Sequence, residues 1–309
     1  MSSSFRRIPV VLAALVLCAA MSASASAPRA PEVFAPGFVS LPGQEEWRIA
    51  FTPDGRTAFW GVSPGFFPET RQATIVFSEL RHGRWTEPRP ASFSGVYSDI
   101  DPFVSPDGRR LFFSSIRPVN GAPREDVEMW VVERRRDGGW SEPSHLGAAV
   151  HSLGDELYPS VDEDGTLYFG SDREGGFGGW DVWRSKLRAD GSYGPAENVG
   201  PAVNTELWEF NPNVLPDGDT LLFASIGRPE GYGYGDLYVA TRTWRGWQPA
   251  RNLGPTVNTA LDEYHPTLSP DHRTLYFVRH QYEPFLPSDL FHVQVGRLLS
   301  DAGSCDVRD

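Results

Sequence analysis

One tetrapeptide pattern, met five times at nearly constant spacing, constrains this chain more than any other feature. Thr-Pro-Asp-Gly at 52–55 returns as Ser-Pro-Asp-Gly at 105–108, Asp-Glu-Asp-Gly at 162–165, Leu-Pro-Asp-Gly at 215–218 and Ser-Pro-Asp-His at 269–272. Measured on Asp54, Asp107, Asp164, Asp217 and Asp271, the steps are 53, 57, 53 and 54 residues. Ahead of each turn stands a stretch such as Glu263-Tyr-His-Pro-Thr-Leu268, apolar at its second and sixth positions in every copy, the two-residue period of a strand. After each turn comes an aromatic-rich strand, for example Leu167-Tyr-Phe-Gly170 or Leu275-Tyr-Phe-Val278. A loop rich in Gly or Pro then leads to a third strand, as in Asp181-Val-Trp183 and Asp236-Leu-Tyr238. A fourth is expected at an aromatic residue shortly before a proline: Trp85 with Pro88, Trp140 with Pro143, Tyr193 with Pro195, and Trp247 with Pro249.

Four short antiparallel strands per unit, with no helical period between them, predict an all-β fold, a single β-propeller. Each sheet has an apolar face that it cannot bury alone, so the units must form a ring. The fifth copy ends near Val293 without an aromatic-Pro segment, whereas Phe34-Ala35-Pro36 precedes the first copy. Residues 32–40 are therefore expected to supply the outer strand of the last unit, closing five four-stranded blades. Six blades are the alternative, and would need about 50 further residues that the chain does not show. The 31 glycines and 27 prolines are accounted for by the turns and loops of such a ring.

The boundaries follow. Arg6, Arg7, the apolar run Val10 to Ala20 and Ala23-Ser24-Ala25 read as a secretory signal occupying residues 1–25. Residues 26–43 form an N-terminal segment with the ring-closing strand, 44–296 the propeller, and 297–309 a tail. Leu15-Val16-Leu17-Cys18 has the outline of a lipoprotein signal, but Leu17 is too large for the position before a lipidated cysteine. The protein is thus expected to be periplasmic or secreted, not membrane-spanning, and monomeric. With 40 acidic against 28 basic residues, net −12, it has no basic footprint for nucleic acid. The cysteines are Cys18 and Cys305, too few for a disulfide framework or a thiolate zinc site.

The third copy, Tyr158-Pro-Ser-Val-Asp-Glu-Asp-Gly-Thr-Leu-Tyr-Phe-Gly-Ser-Asp-Arg173 followed by Gly175-Gly-Phe-Gly-Gly-Trp-Asp-Val-Trp183, resembles the WD40-like β-propeller repeats of the TolB type, also found in periplasmic proteins that carry an OmpA-like domain. The resemblance covers about residues 44–293 and implies a propeller that docks partners. It does not extend to the N-terminal domain of TolB or to an OmpA-like domain, so neither a Tol–Pal role nor peptidoglycan anchoring is implied.

Two sets of repeated positions are candidate sites. An acid opens the inner strand of every copy: Glu46, Asp99, Glu156, Glu209 and Glu263. Carboxylates converging on a channel mouth would need a cation such as calcium, or partners, for which Arg117, Arg173, Arg228 and Arg279 are in place. Two residues further on stand Arg48, Asp101, Tyr158, Asn211 and His265, whose varied chemistry suits ligand contact in the channel. Upper loops add Phe66, Phe67, Phe177, Trp180, Tyr232, Tyr234, Tyr282 and Phe285; of these Phe177, Trp180, Tyr232 and Tyr234 are taken as ligand-binding, since exposed rings stack sugars or seat partner side chains. The Asn-Thr pairs at 204–205 and 258–259 suit side-chain turns.

Gly61-Val-Ser-Pro-Gly65 matches a hydrolase elbow, but Pro64 has no N–H to build an oxyanion hole. The seven histidines show neither H-x-H nor HExxH spacing. The function expected is a non-catalytic module docking a protein or a cell-envelope glycan, with a protein partner favoured because the acidic surface suits a basic patch. The alternative is glycoside cleavage by inner-strand carboxylates, with Asp99, Asp101, Glu156 and Glu209 as candidate acid and base.

Overall fold

The computed structural model describes residues 30–122, 126–296 and 299. Residues 1–25, expected as a secretory signal and including Cys18, and Cys305 in the expected tail lie outside the described residues. Strands dominate; the one α-helix among the described residues is the single turn Phe67–Thr70.

Each repeat folds as an antiparallel set running outward in sequence order. The first set is Glu45–Phe51, Thr57–Ser63, Thr74–Arg81 and Arg89–Pro90; the second is Asp99–Val104, Arg110–Ser115, Glu128–Glu133 and Ser144–His145. The third comprises Glu156–Val161, Leu167–Ser171, Asp181–Ser185 and Glu197–Asn198. The remaining strands form a nine-stranded sheet in which two such sets are linked by one parallel pair, Gly235 with Asp262. Within it, Trp208–Val214, Thr220–Ile226, Gly235–Thr243 and Arg251–Asn252 make the fourth set. Asp262–Leu268, Thr274–Gln281 and Leu286–Gln294 begin the fifth. Its outer strand comes from the other end of the chain: Glu32–Val33 pairs antiparallel with Phe291 and His292, and the N–H of Phe34 donates to Leu290 O at 2.7 Å. This is a β-propeller arrangement.

The outer strands correct one expectation. They follow the prolines; Trp85 and Trp247 instead sit in tight hairpins, paired with Leu80 and Arg242. A proline offers no N–H to the ladder, so pairing breaks there and resumes beyond it. Four of the turns between first and second strands are held by the repeat acid, as where Asp54 Oδ1 accepts from Thr52 Oγ1 at 2.6 Å and from Arg56 N at 3.0 Å; in the third, Asp162 takes that part and accepts from Thr166 N at 2.8 Å. The residue after the acid takes the left-handed conformation, φ +66° at Gly55 and +56° at His272. Apolar faces meet between neighbouring sets. Phe112, Val161, Leu167 and Phe169 pack in one cluster; Tyr168, Val214, Leu221 and Phe223 pack in the next.

A departure from regular pairing recurs at one place in every inner strand. Register shifts between Glu46 and Ile49, Ile100 and Phe103, Leu157 and Ser160, Phe210 and Asn213, and Tyr264 and Thr267. At four of these bulges the central residue has positive φ: Asp101 (57°), Tyr158 (64°), Asn211 (52°) and His265 (54°). None is glycine, so the conformation is held against its steric cost by the ring around it.

Candidate functional site

The bulge breaks the alternation of side chains, so the residue before it and the residue at it both face the same end of the ring. They floor a cavity of about 860 Å³ on the face carrying the long loops. Trp47, Leu157, Phe210 and Tyr264 come from the position before the bulge, and Tyr158, Asn211 and His265 from the bulge itself. Phe66 and Phe67, Trp180, Trp208, Tyr234 and Tyr282 form the walls. The rings brace one another: Tyr158 lies 6.0 Å from Trp180, 6.1 Å from Phe210 and 5.5 Å from His265, and Tyr234 meets Tyr282 edge-on at 5.4 Å. Polar groups are few. Asp155 pairs with Arg71 at 3.6 Å, Asp262 accepts from Tyr282 Oη at 2.8 Å, and His280 stands among Phe66, Tyr282 and Phe285. Burial pushes the Asp262 carboxyl up to about 7, against the bond from Tyr282, and lowers His280, disfavouring its charged form.

Arg48 and Asp101, expected as ligand contacts, are instead buried beneath this floor, 1% and 0% exposed. The Arg48 guanidinium crosses the axis and donates to Pro159 O at 2.8 Å and Pro212 O at 3.2 Å, while lying over the Phe103 ring. Asp101 Oδ1 is 3.4 Å from His265 Nδ1. Burial raises Asp101 to about 8, offset in part by Arg48, and lowers Arg48 to about 10. These groups plug the axis; a separate recess of about 190 Å³ opens on the opposite, turn-bearing face. Phe177 and Tyr232, also expected at the site, are exposed but stand outside the cavity lining.

The ring of acids differs too from a convergent cation site. All five are fully buried, and four hold one arginine each: Asp99 with Arg117 at 2.5 Å, Glu156 with Arg173 at 2.8 Å, Glu209 with Arg228 at 3.0 Å, and Glu263 with Arg279 at 2.7 Å. Every such arginine also donates to a carbonyl at the end of the preceding unit, Phe93, Val150, Val203 or Val257, and lies over aromatic rings of its own sheet. The acids accept further bonds from the loop before them, as Glu209 does from Thr205 N (2.7 Å) and Oγ1 (2.8 Å). They are clamps between units. Glu46 is the exception: after Ser63 the first unit continues Pro64-Gly65 where the others place arginine. Glu46 accepts from Leu41 N, its Oε2 is buried without a hydrogen bond, and burial pushes its carboxyl up to about 8. Ser63, the serine of the elbow-like motif, is buried and accepts from Trp47 Nε1 at 2.8 Å.

Pocket residues that sequence reasoning passed over share two signals. Asp155, Trp208 and Asp262 each stand immediately before a ring acid, where the strand enters the upper face. Trp47, Phe210 and Tyr264 hold the apolar second position of the repeat, which a regular strand would turn away from Tyr158 and His265.

No family model and no curated protein matches the chain. Solved structures do. A protein assigned as TolB from Agrobacterium tumefaciens aligns over 78% of this chain and 71% of its own, with 15% identity and a TM-score of 0.51. A GH43 endo-arabinanase from Bacillus licheniformis aligns over 82% of this chain and 96% of its own, with 12% identity and a TM-score of 0.49. The likeness to the first is one of fold, a β-propeller. Among the described residues no helix is long and apolar enough to cross a membrane.

Proposed function

We propose that this is a periplasmic or secreted binding module, a five-bladed propeller that seats part of a protein or cell-envelope glycan in the aromatic cavity. The cavity itself carries the reading. Its volume lies within the ~300–1,000 Å³ typical of ligand pockets, its walls are flat rings, and its polar groups are few and separate, which suits stacking with limited hydrogen bonding. The carboxylates first considered for glycoside cleavage argue the same way: Asp99, Glu156 and Glu209 are locked to arginines, and Asp101 is sealed below the floor. Trp47, Trp180 and Trp208 line the cavity and will report occupancy. Titration with envelope oligosaccharides and with peptides should give a saturable change in tryptophan fluorescence and no turnover.

One observation favours an enzyme: Asp262, in the cavity and poised near neutrality, has the character of a general acid. Hydrolysis of chromogenic glycosides that disappears in Asp262→Asn would establish that second reading and displace the first. Five-blade closure is tested separately. Removing residues 26–41 takes away the Glu32–Val33 strand and should cost several kcal/mol by exposing the edge of Leu286–Gln294.

A further inference from the structure

Outside the cavity, one junction between units departs from its neighbours in a way that changes its chemistry. Where the third unit meets the fourth, Asn198 Nδ2 donates to Asp181 at 2.7 Å, Gly200 N donates to Asn198 Oδ1 at 2.9 Å, and Asn204 Nδ2 donates to Asn198 Oδ1 at 2.8 Å. The next junction repeats this with Asp236, Asn252, Gly254 and Asn258, at 2.8, 2.7 and 2.7 Å. In both, the acid is the first or second residue of a third strand and every amide is satisfied. Between the second and third units the same three places hold Glu128, His145 and His151.

The histidines reproduce only part of the pattern. His145 stands in for the first asparagine: Gly147 N donates to its Nδ1 at 3.2 Å, and its Nε2 contacts Glu128. His151 cannot copy the second. It turns Nδ1 to Glu156, 3.3 Å away, stacks on His145 with ring centroids 4.2 Å apart, and leaves Nε2 buried with no partner on a side chain only 5% exposed. One ligand atom from each of Glu128, His145 and His151 lies within 4.8 Å of the others. Two asparagines and an aspartate form a hydrogen-bonded staple, whereas two imidazoles and a carboxylate are the donors that borderline divalent ions prefer.

We infer that Glu128, His145 and His151 form a binding site for a divalent d-block cation, with zinc the best match, which staples the second unit to the third. The orphaned Nε2 of His151 gains a bond it otherwise lacks. Glu156, accepting from His151 Nδ1, orients that ring as carboxylates commonly do behind a metal-bound histidine. For His145 to bind through Nε2, its proton moves to Nδ1, exchanging the long contact from Gly147 for a metal bond. Tetrahedral coordination sets ligand atoms about 3.4 Å apart, so the short Glu128–His145 contact must open while the set, now within 4.8 Å, draws in around the ion. His145, 20% exposed on a two-residue outer strand, has room to do so and leaves a fourth position open to water.

The repeat supplies its own control. Glu128→Asp/His145→Asn/His151→Asn installs the set found at the two following junctions, so it should fold while losing the metal ligands. After treatment with a chelator, the wild-type protein should bind one equivalent of Zn²⁺ in competition with a chromogenic chelator, and its Tm should rise on zinc addition. The triple variant should bind one equivalent fewer and lose that rise. His151→Asn alone, which keeps the Glu128–His145 contact, should weaken binding at least tenfold. Zinc binding equal in wild type and variants, or no zinc-dependent rise in wild type, would overturn the inference.

Discussion

Two rings of side chains lie on the same five strands, two residues apart, and have opposite characters. The outer ring, Asp99, Glu156, Glu209 and Glu263 with their arginines, repeats one arrangement, because each member solves the same problem of joining one unit to the last. The inner ring, Arg48, Asp101, Tyr158, Asn211 and His265, repeats only the backbone bulge, and its side chains differ at every step. A position repeated in chemistry marks the joints of a ring; a position repeated in geometry alone marks where the units were free to diverge. Here that divergence gives a plugged axis on one side, Arg48 with Asp101, and a cavity floor on the other.

The contrast breaks most forcefully at a clamp. Arg228→Ala leaves Glu209 buried without its counter-charge, and should cost about 3–5 kcal/mol of unfolding free energy, measured by denaturant titration. A cost below about 1 kcal/mol would mean that the clamps are incidental.

Glu46 provides a smaller, pH-dependent test. Its carboxyl, normally near 4.5, is pushed up to about 8 by burial, so the folded protein holds this proton where the unfolded chain has released it. Folding therefore takes up a proton between these values, and stability falls as pH rises through that window. Glu46→Gln removes this loss. Its Tm relative to wild type should climb steadily between about pH 5 and about pH 8. A difference that does not change with pH would place a charged Glu46 in the folded state. In Glu263→Gln, where Arg279 pairs with the acid, the substitution should instead destabilise at neutral pH.

The smallest effects are expected outside both rings. Phe177→Ala and Tyr232→Ala, exposed and away from the cavity, should each change stability by no more than about 0.5 kcal/mol.

What could be read from the chain follows the same division. The turn acids and the strand alternation recur at nearly fixed offsets, and four of the five units carry an arginine 16 to 19 residues after the ring acid, so a single sequence displays them. The pairing of the two chain ends was legible in part, since Phe34-Ala35-Pro36 has no unit of its own, although the strand that pairs is Glu32–Val33 just ahead of it. The bulge was hidden. It inserts a residue without altering the hydrophobic pattern on either side, so Trp47, Phe210 and Tyr264 looked like packing and Arg48 and Asp101 like accessible lining. The junction of Glu128, His145 and His151 was hidden for another reason. Its members are brought together by sheet pairing and loop return, and their equivalence to Asp181, Asn198 and Asn204 appears only when the junctions are compared in space.

The central claim is that the cavity, and not the surrounding loop surface, engages the partner. It is tested most directly by measuring capture of envelope glycans and proteins with two double variants side by side. Trp180→Ala/Tyr234→Ala removes rings that line the cavity, and Phe177→Ala/Tyr232→Ala removes two exposed rings outside it. The account predicts that the first loses the ligand retained by wild type and the second keeps it. Retention by the first pair with loss by the second would contradict it.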